Sequence, residues 1–393
     1  MVRRAARGAA VAVTDRPRNL LRFVFLTGLI LTSHSLAGVL PEDRADALYH
    51  SYDGGGVEVN GPSILVRKGD GKRFSVSANY YTDTISSASI DVVTQGSPYA
   101  EKRIQKSINT DYQHADTTMS FGFTNSTESD YKADTTSFSI SQSMFGDLTT
   151  LTLGYSRGRD DVSRNNDPGF SSKNVDRHQY QINLSQILTK DMLVTLNYDG
   201  ITEEGYLHNP YRSVRYLDTS NTVQTQEEIY PNTRTSNAIG ARLKMYLPYR
   251  AALTLGYRYY TDDWDIAGHT FEVGYTYPAE DQWIIEGSYR YYRQSDAAFY
   301  SDLFPRVDAQ NFLARDKELS RFSDHSLGLT ATYEFLPAGW RIIDKATANL
   351  AYRHIWFYYD NFRNTMVTNV TPGTEPLYDF EADIVQAFVS LWY

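Results

Sequence analysis

The chain has 393 residues, 41% of them hydrophobic, with 31 tyrosines, no cysteine and a formal net charge of −9. The lack of cysteine excludes a disulfide framework, a thiolate metal site and a covalently attached c-type haem, and the acidic balance argues against a nucleic-acid partner. Low hydropathy with abundant aromatics fits a lipid-facing band half as dense in apolar residues as a membrane helix, bordered by aromatic girdles.

Residues 1–37 have the layout of a secretory signal. Arg3, Arg4, Arg7, Arg16, Arg18 and Arg22 precede a short apolar stretch, Phe23 to Leu31, and Ser35-Leu36-Ala37 supplies small residues for a signal peptidase. The apolar run is too short to span ~30 Å of hydrocarbon. Cleavage after Ala37 removes six arginines and one aspartate, leaving 32 basic against 46 acidic residues and a charge of −14.

Residues 38–71 are read as a separate segment. Pro41 to Tyr52 has a proline in the first turn, Glu42 and Asp43 near the positive end, Ala45, Leu48, Tyr49 and Tyr52 at helical spacing, and Gly54 to Gly56 as a stop. These features predict a short helix. Val57 to Arg67 has a strand's pattern. The segment is expected to be a periplasmic cap or a plug in the lumen, with two extra wall strands as the remaining reading.

From residue 72 onward the period is two. Leu253, Leu255, Tyr257 and Tyr259 alternate with Thr254, Gly256 and Arg258, and Leu327, Leu329, Ala331 and Tyr333 alternate with Ser326, Gly328, Thr330 and Thr332. Strict alternation of this kind predicts strands with one apolar and one polar face. Short links at residues 114–116, 145–147, 189–191, 248–250, 278–281 and 337–342 alternate with mostly longer ones near 83–103, 159–174, 200–232, 294–321 and 360–380. Short periplasmic turns and long outer loops are the pattern of an antiparallel transmembrane β-barrel. Counting from Lys72 gives fourteen strands, with twelve and sixteen as alternatives, so residues 72–393 form the barrel. Tyr80-Tyr81, Tyr259-Tyr260, Tyr291-Tyr292 and Tyr358-Tyr359 fall at outer strand ends, where an aromatic belt belongs.

The tail Val385, Ala387, Val389, Leu391, Tyr393 alternates to a terminal aromatic. Gln386, Leu391 and Tyr393 match the outer-membrane assembly pattern of polar residue, glycine, then apolar-x-aromatic. Phe388 replaces the glycine. The partners this implies are the barrel-assembly machinery, outer-membrane lipid and lipopolysaccharide.

The strand phase sends Arg242, Lys244, Arg258, Glu272, Glu286, Arg290, Glu334 and Arg353 into the lumen, where mixed signs would set a transverse field for small polar or zwitterionic solutes. Two long loops, around Arg212 and around Arg306, Asp308 and Arg315, are rich enough in aromatics to fold inward as binding elements. His178, His269, His325 and His354 share the lipid-facing phase near the outer rim. Amphipathic rings belong at that depth, and no nucleophile motif accompanies them, so no enzymatic activity is expected. His325 and His354 lack a carboxylate in sight that would support a metal. The loop acids Asp160-Asp161, Asp167 and Asp262-Asp263-Trp264-Asp265 do not match the twelve-residue calcium loop. No cofactor or metal is expected.

Pro41 to Tyr49, Tyr52-Asp53-Gly54-Gly55-Gly56-Val57, Ser86 to Asp91, Leu247-Pro248-Tyr249-Arg250 and Phe299 to Arg306 resemble strings of a proteobacterial family called domain of unknown function 3570. The resemblance implies a Gram-negative outer-membrane protein, often encoded beside periplasmic thioredoxin-like and flavin-attaching proteins. It assigns no catalytic residue. The expected function is an exported, porin-like barrel passing small polar solutes. The alternative is a non-conducting structural or receptor-like barrel that docks a periplasmic or extracellular partner in a redox-linked assembly.

Overall fold

The structure is a computed structural model describing residues 40–87, 99–165, 167, 169–336 and 339–393. The expected signal segment and most of the Ser86–Asp91 string lie outside the described residues. Its strands are β1 (Arg44–Gly54), β2 (Val57–Gly69), β3 (Phe74–Ser87), β4 (Tyr99–His114), β5 (Thr117–Thr127), β6 (Tyr131–Met144), β7 (Thr149–Val162), β8 (Lys173–Thr189) and β9 (Met192–Gly205). They continue with β10 (Ser213–Leu217), β11 (Val223–Glu227), β12 (Thr233–Tyr246), β13 (Ala252–Asp262), β14 (Ala267–Ala279), β15 (Trp283–Gln294), β16 (Phe322–Glu334), β17 (Lys345–Arg363) and β18 (Leu377–Trp392). All but β10 and β11 form one closed antiparallel barrel in which each strand neighbours the next and β1 closes onto β18. Among the described residues the wall therefore has sixteen strands, not the expected fourteen or the alternative twelve.

The two additional strands are the segment expected to be a cap or plug. Pro41 to Tyr52 is not a helix: β1 pairs with β18 from Arg44↔Trp392 to Gly54↔Ala382 and with β2 from Arg44↔Arg67 to Gly54↔Val57. Ala45, Leu48, Tyr49 and Tyr52 fit a helical face, but they equally split between the two faces of a strand. Here Tyr49 is exposed on the outside while Tyr52 is buried inside. Isolated short helices gain little in water, whereas this strand gains ladders on both sides. Gly55 and Gly56 both have positive φ, +58° and +76°, and close a two-residue hairpin. A type I′ turn demands that conformation at both central positions, and glycine adopts it without strain.

The remaining strands and turns fall where alternation placed them. On β13 and β16 the outward Leu255 and Leu329 are exposed, and the outer face as a whole carries leucines, isoleucines, valines, phenylalanines and tyrosines. An exposed apolar belt of that extent is the pattern a lipid-facing wall would have. Each tyrosine pair divides across the wall, because neighbouring residues on a strand face opposite ways. Tyr80 and Tyr358 are exposed outside, whereas Tyr81, Tyr292 and Tyr359 are buried within. Half of the expected girdle is therefore interior structure.

Candidate functional site

The inner wall has two chemically distinct sides. Strands β5 to β8 present mainly hydroxyls and amides inward, such as Ser139, Thr152, Gln181 and Asn183, with Arg177 paired to Asp160 and Glu203 near their far end. Strands β12 to β17 present charge. Arg242 donates to Glu272 at 3.0 Å, with side chains 45% and 39% accessible. Such accessibility on an inward face requires open space inside the barrel. Arg290 pairs with Asp324 at 2.8 Å, Arg258 with Asp199 at 3.9 Å, and Glu334 with Lys345 at 3.4 Å. Glu286 accepts from the Thr276 hydroxyl at 3.3 Å, and Arg353 donates to Ser326 Oγ at 3.4 Å. Lys244 shares the inward phase of Arg242 and is exposed. All eight expected lumen residues thus stand on the inner face, most of them in cross-strand pairs rather than as free charges.

The loops cover the far rim, the one opposite Arg44 and Trp392. The hairpin β10–β11 joins the loop after β15: Phe304 N donates to Arg215 O at 2.8 Å, and Leu313 and Ile229 exchange backbone bonds at 2.7 and 2.9 Å. Beneath these ladders pack Tyr230, Trp264, Phe299, Tyr300, Leu319 and Phe362. Tyr211 donates to Asp130 of the β5–β6 loop at 2.6 Å, while Arg215 reaches Glu375 of the β17–β18 loop at 2.5 Å. One loop therefore ties two different sides of the ring together as a lid.

Two expected loop binders are interior ties of this lid. Arg212 is ion-paired with Asp316, and Arg315 holds Asp302 at 2.8 Å. All four of these residues are buried. Arg306 and Asp308 remain at the surface, where Arg306 donates to the Asp308 carbonyl at 3.2 Å and Asp308 N donates to Gln226 at 3.2 Å. Glu228 accepts from Arg315 N at 2.7 Å and from the Tyr230 hydroxyl at 2.9 Å. Burial and the nearby Asp316 push its carboxyl up to about 7, against the pull of Arg212. Burial pushes His208 down to about 4.

On the exterior, histidines are held by polar neighbours. The Tyr155, Tyr257 and Tyr289 hydroxyls lie 2.8, 2.9 and 2.7 Å from Nδ1 of His178, His269 and His325. His354 Nδ1 lies 2.7 Å from Asp383. His325 and His354 thus have separate partners, and the carboxylates the sequence did not bring into sight stand beside His354, with Glu381 3.3 Å from its Nε2. Among the described residues, Glu101, Glu128 and Asp130 lie close enough together to hold an ion, a group that the sequence reading missed because it joins β4 to a loop.

The tail residues are placed at the seam. Gln386 faces inward, Leu391 outward, and the Tyr393 hydroxyl donates to Arg67 O at 2.9 Å with Lys68 Nζ 4.9 Å from its ring. Phe388 faces inward, into a lumen cavity.

The profile of the family described as "Protein of unknown function (DUF3570)" matches residues 90–343. The chain belongs to this family. No curated protein matches it. Among solved structures it is similar to one titled "Bacterial polysaccharide outer membrane secretin", at 7% identity and a TM-score of 0.50, over 90% of this chain and 100% of that one. It also resembles the outer membrane protein opdK of Pseudomonas aeruginosa, at 9% identity and 0.44, over 90% and 100%. The siderophore receptor PirA of Acinetobacter baumannii matches at 10% and 0.43, with 90% of this chain covering 60% of the receptor. At 7% identity the first of these likenesses concerns the fold of this DUF3570 member alone, a closed barrel.

Proposed function

We propose that this DUF3570 protein is an outer-membrane barrel that passes small polar solutes through its lumen, with the lid at the extracellular end as its gate. The observation that carries this reading is the accessible, mixed-charge inner wall around Arg242 and Glu272. A barrel that served only as a scaffold would gain by filling that space, since protein interiors pack densely. The exposed apolar belt supports a membrane setting and the short-turn rim supports a periplasmic side for residues 44 and 392. Outer-membrane lipid, lipopolysaccharide and the assembly machinery are its proposed partners, and no catalytic step is assigned to it.

A second reading, a closed receptor-like barrel docking a partner, is supported by the buried lid. Planar-bilayer recording separates the two. Stepwise currents that rise when the lid loop 206–232 is shortened support the pore. A silent barrel with and without the lid overturns it and leaves the receptor.

A further inference from the structure

We infer that the barrel holds, at its short-turn rim, a binding site for a small zwitterion with an apolar side chain, of the size of an amino acid or short peptide. The inference deepens the proposed passage of polar solutes and rests on that reading for its purpose, though not for its geometry.

The site is built by strand register. Trp392 on β18 lies opposite Lys345 on β17 and opposite Arg44 on β1, so one ring is flanked by cations on both neighbouring strands. The Lys345 ammonium is 5.2 Å and the Arg44 guanidinium 5.8 Å from the ring centre. A second row runs Ile284, Thr332, Asn349, Phe388 across β15 to β18. Ile284 is 46% exposed although it faces inward. Between the rows Glu334 faces Lys345 at 3.4 Å. These groups line one cavity of about 250 Å³ that also touches Asp281. Its volume falls below that of drug-sized pockets.

The charge pattern selects the ligand class. Within the lining Arg44 and Lys345 balance Glu334 and Asp281, and just outside it Asp46 holds Arg44 at 2.9 Å while Arg250 stands 3.9 Å from Asp281, so the site is near neutral yet dipolar. A lone anion meets two carboxylates and a lone cation meets two basic groups. A zwitterion satisfies both, with its carboxylate beside Arg44 and Lys345 and its ammonium beside Glu334. The apolar trio Ile284, Phe388 and Trp392 then covers its side chain, and burying that apolar surface favours binding. Thr332 and Asn349 are already bonded to each other at 2.7 Å and serve as a rigid floor.

The test uses the full chain as a folded barrel in detergent micelles and measures binding calorimetrically with three probes of one carbon skeleton: leucine, leucine methyl ester and 4-methylpentanoate. Leucine is expected to bind at least about tenfold more tightly than either singly charged probe. Lys345→Gln should weaken leucine while narrowing its advantage over the ester, and Glu334→Gln should narrow its advantage over the acid. Both variants are checked for wild-type heat-modifiable mobility. Equal binding of the three probes, no binding of leucine, or leucine binding unchanged in both variants overturns the site. Conductance is recorded separately. Currents without leucine binding remove the site and keep the pore, whereas leucine binding without currents removes the pore and keeps the site.

Discussion

His50 on β1 reaches Asp83 on β3 at 2.7 Å, across the intervening strand β2. The reach is open because the β2 residue opposite His50 is Gly61, where a Cβ would lie 1.8 Å from the Thr82 carbonyl oxygen. Asp83 also pairs with Arg103 of β4 at 2.7 Å, and Tyr81 stacks on the His50 ring at 5.1 Å. Three strands, β1, β3 and β4, are thereby cross-tied over β2 by one inward-facing cluster. Asp83 is fully buried. Arg103→Met should therefore cost up to about 3–5 kcal/mol, because it takes the guanidinium from a buried carboxylate and leaves His50 to hold it. Adding Asp83→Leu should recover much of that loss. Urea unfolding of the barrel in micelles measures both, and an additive double variant argues against the coupling.

Deleting residues 40–69 should abolish the folded barrel. The deletion leaves β18 and β3 as unpaired edges, and open sheet edges are not tolerated in hydrocarbon. Loss of the heat-modifiable form is the expected outcome. An assembled, more conductive truncation would restore the plug reading.

Arginine on the outer face should separate the two faces of the wall. Leu255→Arg and Leu329→Arg are expected to cost roughly 2–4 kcal/mol each. The adjacent Thr254→Arg and Thr330→Arg point into the lumen and should cost far less. Equal unfolding midpoints at neighbouring positions would contradict the assignment of faces.

The lid should respond to pH through Glu228 and, oppositely, through His208. The Glu228 carboxyl is raised from an ordinary 4.5 to about 7, so the folded lid holds a proton that the open lid releases. That contribution is whole below about pH 4.5 and is lost as pH rises to about 7. His208 is lowered from 6.5 to about 4, so its contribution is whole above about pH 6.5 and is lost as pH falls towards 4. Glu228→Gln should leave lid opening within about twofold near pH 4.5 and reduce it by roughly two orders of magnitude at pH 8 relative to wild type, as a shift from 4.5 to about 7 implies. Hydrogen exchange of residues 206–232, compared between the two proteins at each pH, provides the check.

Tyr393→Asp should impair assembly, because it removes both the 2.9 Å bond to Arg67 O and the ring beside Lys68. Tyr393→Phe should be mild. Outer-membrane levels in cells distinguish them, and a normal level for Tyr393→Asp would separate the tail from targeting.

The strand pattern was legible wherever apolar residues recurred at alternate positions over a whole strand, as in Leu253 to Tyr259. It failed in β1, whose outward face offers only Ala45, Ala47 and Tyr49 before Ser51 and Asp53. Three small or amphipathic residues do not separate period two from period 3.6. The glycine pair at 55 and 56 was the available signal, since it serves a hairpin as well as a helix stop. The inward placement of residues such as Arg242 and Glu334 followed from parity alone. Their partners were not, and neither was the burial of Arg212 and Arg315. Arg215 and Glu375 are 160 positions apart, and nothing local in either neighbourhood announces the pairing.

Tyr393 N lies 3.3 Å from Asp43 O. The ring of strands consequently has no privileged starting point. A short linker from residue 393 to residue 43, with new ends opened in the exposed link between β14 and β15, would preserve every ladder while making another strand the last. Such a circular permutant separates two things that coincide in β18: the geometry that shuts the cylinder and the proposed assembly signal of Gln386, Leu391 and Tyr393.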